Sequence, residues 1–111
     1  MTNQELARGD GADRYVTPHS LPTPHERELL TILSEEAAEI IVAASKLQRF
    51  GREDGYPGTG RTNGGDLGAE IGDLEELVDR IVALGLTTRA DIAAGKARKA
   101  KKLAVYLQTI R

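Results

Sequence analysis

A chain of 111 residues fits one domain, and at that size only about two thirds of the unfolded surface is buried, so a thin core would gain from assembly of further copies. Fifteen Lys and Arg against seventeen Asp and Glu leave a net charge of −2, which provides no global basic field for a nucleic-acid polymer or an anionic membrane. The absence of cysteine excludes disulfides and thiolate zinc sites, and leaves any metal to oxygen or imidazole ligands, which suits hard cations.

Forty per cent of the residues are apolar, with one Phe and no Trp, a composition that favours packed helices over a sheet with aromatic cross-strand pairs and points to an all-α fold. Neither an apolar leader core nor the roughly 20-residue apolar run of a membrane span is present, so a cytoplasmic protein is expected.

Residues 1–22 are polar, broken by Gly9, Gly11, Pro18 and Pro22, and read as an N-terminal arm ahead of a helical domain over 23–111. At Thr23-Pro24-His25-Glu26, a capping hydroxyl, a proline at the first helical position and a glutamate three residues past the cap coincide to start a helix. Leu29, Ile32, Leu33, Ile40, Ala44, Leu47 and Phe50 continue it at helical spacing, and Gly51 is a natural stop. Residues 51–65, with six glycines and a proline, predict a long loop that reads as a flexible flap. A second helix is predicted from near Asp66 to Gly85. A third opens at Thr88 with Asp91 and places Ile92, Leu103, Tyr106, Leu107 and Ile110 on one face. Three helices of this kind make half or most of a bundle.

The informative residues are carboxylates in the wrong place. With Leu29 at zero, the apolar arc of the first helix runs from about −60° to +60°; Glu36 falls inside it and Glu39 at its edge. The second helix repeats the arrangement, with Glu70 inside its apolar arc and Asp73 at the border. Each helix thus delivers a carboxylate pair at i and i+3. Taken singly, each buried glutamate is accounted for by a Lys or Arg partner across a helix contact. Four converging carboxylates call for a divalent cation, and rigid oxygen ligands completed by water and phosphate oxygens suit Mg²⁺.

Lys96 and Lys99 lie within the apolar arc of the third helix, where they either extend their stems along it with ammonium groups in water or hold phosphate beside the carboxylates. Glu35 and Lys46 read as rim residues within reach of a substrate. His19 and His25 lack a third partner for a metal. The stretch Gly58-Thr59-Gly60-Arg61-Thr62-Asn63-Gly64-Gly65 has no Gly-Lys-Ser/Thr ending and follows no strand, so it is no P-loop. No Ser or Cys nucleophile arrangement is present, which leaves hydrolysis to a metal-activated water.

Glu35-Glu36-Ala37-Ala38-Glu39 followed by Glu70-Ile71-Gly72-Asp73 resembles the paired signature of the MazG-like all-α nucleoside-triphosphate pyrophosphohydrolases, over roughly residues 25 to 107. The run Glu39 to Lys46 is also similar to a helix of phosphoribosyl-ATP pyrophosphohydrolase, a member of the same superfamily. The resemblance implies a four-helix-type bundle completed by homodimer or homotetramer formation, with Mg²⁺, or Mn²⁺ as a substitute, on Glu36, Glu39, Glu70 and Asp73. Glu36 and Glu39 would be catalytic, and Lys99, Lys96, Glu35 and Lys46 would contact the nucleotide. The implied reaction cleaves a (d)NTP to its monophosphate and pyrophosphate. Phosphoribosyl-ATP hydrolysis and a non-catalytic helical interaction module are the alternatives. Two departures from the family pattern stand out: a long spacer of residues 40–69 between Glu39 and Glu70, and few aromatics for base stacking.

Overall fold

The computed structural model describes residues 20–109; most of the expected arm, including His19, and the last apolar position of the expected third face, Ile110, lie outside them. Three helices follow in order, α1 (Pro24–Phe50), α2 (Asn63–Ala83) and α3 (Arg89–Tyr106), with no strand among the described residues. The fold is all-α, as composition and periodicity predict.

The start of α1 is the capping box read from the sequence. Thr23 Oγ1 accepts from the Glu26 amide at 3.1 Å, and the Glu26 carboxylate accepts from the Thr23 amide at 2.8 Å. At the far end Gly51 takes φ +84°, a conformation that costs glycine little, and its amide closes on Leu47 O.

The second helix starts three residues earlier than the sequence pattern predicts. Thr62 is its N-cap and accepts from the Gly65 amide at 3.0 Å, so Gly64 and Gly65 belong to the first helical turn rather than to the loop. Gly64 also lies so close to the preceding chain that an added Cβ would come within 3.3 Å of Arg52 Cβ. The glycines that resemble a loop in the sequence therefore let the helix start against its own connection. At the other end, Gly85 N–H reaches Val82 O and Leu86 N–H reaches Ile81 O, the paired bonds of a Schellman cap.

The helices α1 and α2 pack as an antiparallel hairpin. The sheltered positions of α1 include Leu29, Leu33, Glu36, Ile40, Ala43 and Leu47; those of α2 include Asn63, Leu67, Glu70, Leu74, Leu77 and Ile81. Both series alternate steps of four and three residues, the spacing of a coiled-coil-like seam. Leu29, Ala43, Leu77 and Ile81 are its buried apolar members. Glu36 and Glu70 occupy seam positions where an aliphatic residue would otherwise sit. In contrast, α3 buries none of its residues; Ile92, Leu103, Tyr106 and Leu107, the face predicted to be apolar, are all exposed in the single chain.

Candidate functional site

Ligand oxygens of Glu36, Glu70 and Asp73 lie within 4.8 Å of one another across the α1–α2 seam. Oxygens this close could converge on one hard divalent cation, which takes carboxylate ligands at roughly 2.0–2.6 Å. Glu36 and Glu70 are half-buried and Asp73 is exposed, which gives the group a sheltered back and an open front.

Glu36 carries the electrostatic strain of the group. Its Oε1 is shielded from solvent and meets no hydrogen-bond donor. Its carboxyl is pushed up from the ordinary 4.5 to about 7, first by a hydrogen bond with Glu70, then by desolvation, then by the charges of Glu70, Asp73 and Glu39. Crowded carboxylates in a sheltered seam favour the protonated form of Glu36, and a cation would offset the same charges. The simpler explanation, a Lys or Arg paired with each buried glutamate, is not what the helices provide: none of the ion pairs among the described residues includes Glu36, Glu39, Glu70 or Asp73. An all-oxygen donor set with an orphaned buried oxygen fits a hard divalent cation.

Glu39 lies outside the three-carboxylate group. It is exposed one turn along α1 and, with Glu70, lines a cavity of about 150 Å³ beside the group. Lys46 lines the same cavity, as do Tyr56, Arg61 and Asp66. Glu35 is exposed and joins neither group. The α3 lysines are elsewhere: Lys96 borders a separate cleft between α2 and α3 with Glu75 and Asp79, and Lys99 is exposed on α3. Within one chain, then, Lys46 is the expected phosphate-binding residue that stands beside the carboxylates.

The glycine-rich segment, expected to be a flap, is folded by a set of hydrogen bonds of its own. Tyr56-Pro57-Gly58-Thr59 is a type II turn, with the Thr59 amide on Tyr56 O at 3.2 Å and Gly58 at φ +76°. Gly55 pairs with Thr62 across the loop, so tightly that a Cβ there would sit 2.0 Å from Arg61 O. The buried Asn63 fastens the base of the loop, its side chain donating to Gly51 O at 3.0 Å and its amide to Asp54 O at 2.7 Å. These bonds turn Tyr56 back over α1, where Lys46 Nζ donates to its hydroxyl at 2.7 Å. Arg61 stacks on the same ring, its guanidinium carbon 4.4 Å from the centroid, and pairs with Asp66 at 3.3 Å. Sequence periodicity offers no signal for Tyr56, Arg61 or Asp66, because the contacts that assemble them arise from the turn.

Compared with protein-family models, with curated proteins and with solved structures, the chain finds no match. Among the described residues no helix is long and apolar enough to cross a membrane.

Proposed function

We propose that this protein is a Mg²⁺-dependent nucleotide pyrophosphohydrolase of the MazG-like kind, cleaving a (d)NTP to its monophosphate and pyrophosphate. The observation that carries the reading is the convergence of Glu36, Glu70 and Asp73 from facing helices, with none of the ion pairs among the described residues reaching them.

Glu36, Glu70 and Asp73 hold the cation, with Glu39 within one helical turn to complete the set. When bound, Mg²⁺ supplies charge for the phosphoryl oxygens and lowers the pKa of water. Glu36 would present its carboxylate to the cation from the sheltered side of the seam. Glu39, exposed on the cavity wall, takes the proton of the attacking water. The water oxygen bonds to the α-phosphorus, and the bridging oxygen leaves with pyrophosphate. Lys46 provides positive charge on the cavity side of the carboxylates.

The exposed apolar residues of α3 suit a second or third helix pair, and a homodimer or homotetramer would cover them; the α3 lysines would then face a neighbouring chain's site. A cytoplasmic location agrees with nucleotide chemistry of this type.

The test is incubation of purified protein with dNTPs, NTPs and phosphoribosyl-ATP, with and without Mg²⁺ or Mn²⁺, separating pyrophosphate from orthophosphate. Metal-dependent release of pyrophosphate and monophosphate is expected. Glu36→Gln and Glu70→Gln should each lose at least about a hundredfold in turnover while remaining helical. Near-wild-type turnover in either variant would remove the site assignment. No turnover of any nucleotide, with Mg²⁺ still bound, would favour a non-catalytic helical module.

A further inference from the structure

The Lys46–Tyr56–Arg61 arrangement has chemistry of its own. Lys46 is half-buried, yet no carboxylate of the described residues lies within ion-pair distance; its one hydrogen bond goes to the Tyr56 hydroxyl. An ammonium has three donors, and Tyr56 uses one. Arg61 keeps its side chain more than half exposed, placed over the Tyr56 ring and paired with Asp66, so its fork is oriented before any ligand arrives. The cavity between them is about 150 Å³. That is below the roughly 300 Å³ at which pockets for whole drug-sized ligands begin, and suits a small anion such as a short phosphate chain.

We propose that Lys46 and Arg61, both positioned by Tyr56, form an anion subsite that takes the terminal phosphates of the substrate, the end that leaves as pyrophosphate. The assignment rests on the pyrophosphohydrolase reading of the adjacent carboxylates. On this assignment the loop between α1 and α2 distinguishes phosphate chains: a triphosphate offers both cations its terminal phosphates, and a monophosphate has none to offer. Glu39, Asp66 and Glu70 line the same cavity, so the anion enters together with the divalent cation that offsets them.

The probe is inorganic pyrophosphate, titrated calorimetrically into the full chain in excess Mg²⁺, with Mg²⁺ affinity measured separately. Lys46→Met and Arg61→Gln are each expected to weaken pyrophosphate binding about tenfold or more, as loss of a charge-assisted hydrogen bond does. Both should leave the affinity for Mg²⁺ alone unchanged and the far-ultraviolet circular dichroism intact. Tyr56→Phe keeps the ring under Arg61 but removes the hydroxyl that orients Lys46, and should weaken binding only a few-fold. Pyrophosphate affinity within twofold of wild type in both cation variants would overturn the subsite, as would absence of binding to the wild type. Pyrophosphate binding that depends on Lys46 and Arg61 in a protein that hydrolyses no nucleotide would instead overturn the enzymatic reading and leave the subsite standing.

Discussion

The α1–α2 hairpin and α3 are both built from amphipathic helical sequence, yet they stand in opposite relation to solvent. Every buried residue of the three helices belongs to the hairpin, and α3 contributes none. The hairpin has a continuous seam in which two glutamates replace aliphatic residues. In α3, Leu103 and Tyr106 occupy the positions that would form such a seam, and both are exposed. The difference teaches that amphipathic spacing specifies a face but not its partner. It also places the candidate chemistry in the one part of the chain where carboxylates are held by packing on both sides.

Core truncation is the strongest way to test that contrast. Leu77→Ala is expected to destabilise the protein by about 2–4 kcal/mol in urea titrations, through lost burial and the cavity left in the seam. Leu103→Ala, at a side chain 40% exposed, should cost under about 1 kcal/mol in dilute protein. A cost for Leu103→Ala equal to that for Leu77→Ala, growing with protein concentration, would show that α3 is covered in solution by another copy.

A smaller effect is expected at the helix start. Thr23→Ala removes one arm of the capping box and should cost about 1 kcal/mol, read as a lowered urea midpoint with unchanged slope.

The finest test is pH. Because the Glu36 carboxyl is raised to about 7 in the fold, the folded protein binds the proton more tightly than the unfolded chain, whose carboxyl titrates near 4.5. This group therefore favours the fold at low pH, and that contribution is lost as pH rises from about 4.5 through 7. Metal-free protein should show a falling Tm across this window, Glu36→Gln should flatten the slope, and saturating Mg²⁺ should reverse it at the upper end. An equal slope in Glu36→Gln would assign the pH dependence to other groups.

Much of the hairpin was legible in the residues themselves. The Thr23–Glu26 capping box and the stop at Gly51 are local chemistry, and the inward placement of Glu36 and Glu70 follows from helical spacing alone. The start of α2 was not legible, because Gly64 and Gly65 look like loop until Thr62 is seen capping them and Arg52 is seen lying against Gly64. Helical spacing makes Glu39 an equal of the other three carboxylates, whereas in the single chain it stands one turn away, on the wall of the cavity.

By itself the sequence determined helix, cap and face, since each depends on neighbours within four residues. Only the tertiary structure decided which faces meet, and that a loop of glycines brings Tyr56 and Arg61 back to Lys46 on α1. Those contacts depend on where a tight turn at Pro57-Gly58 directs the chain relative to a packed hairpin, a relation between elements that no local period encodes.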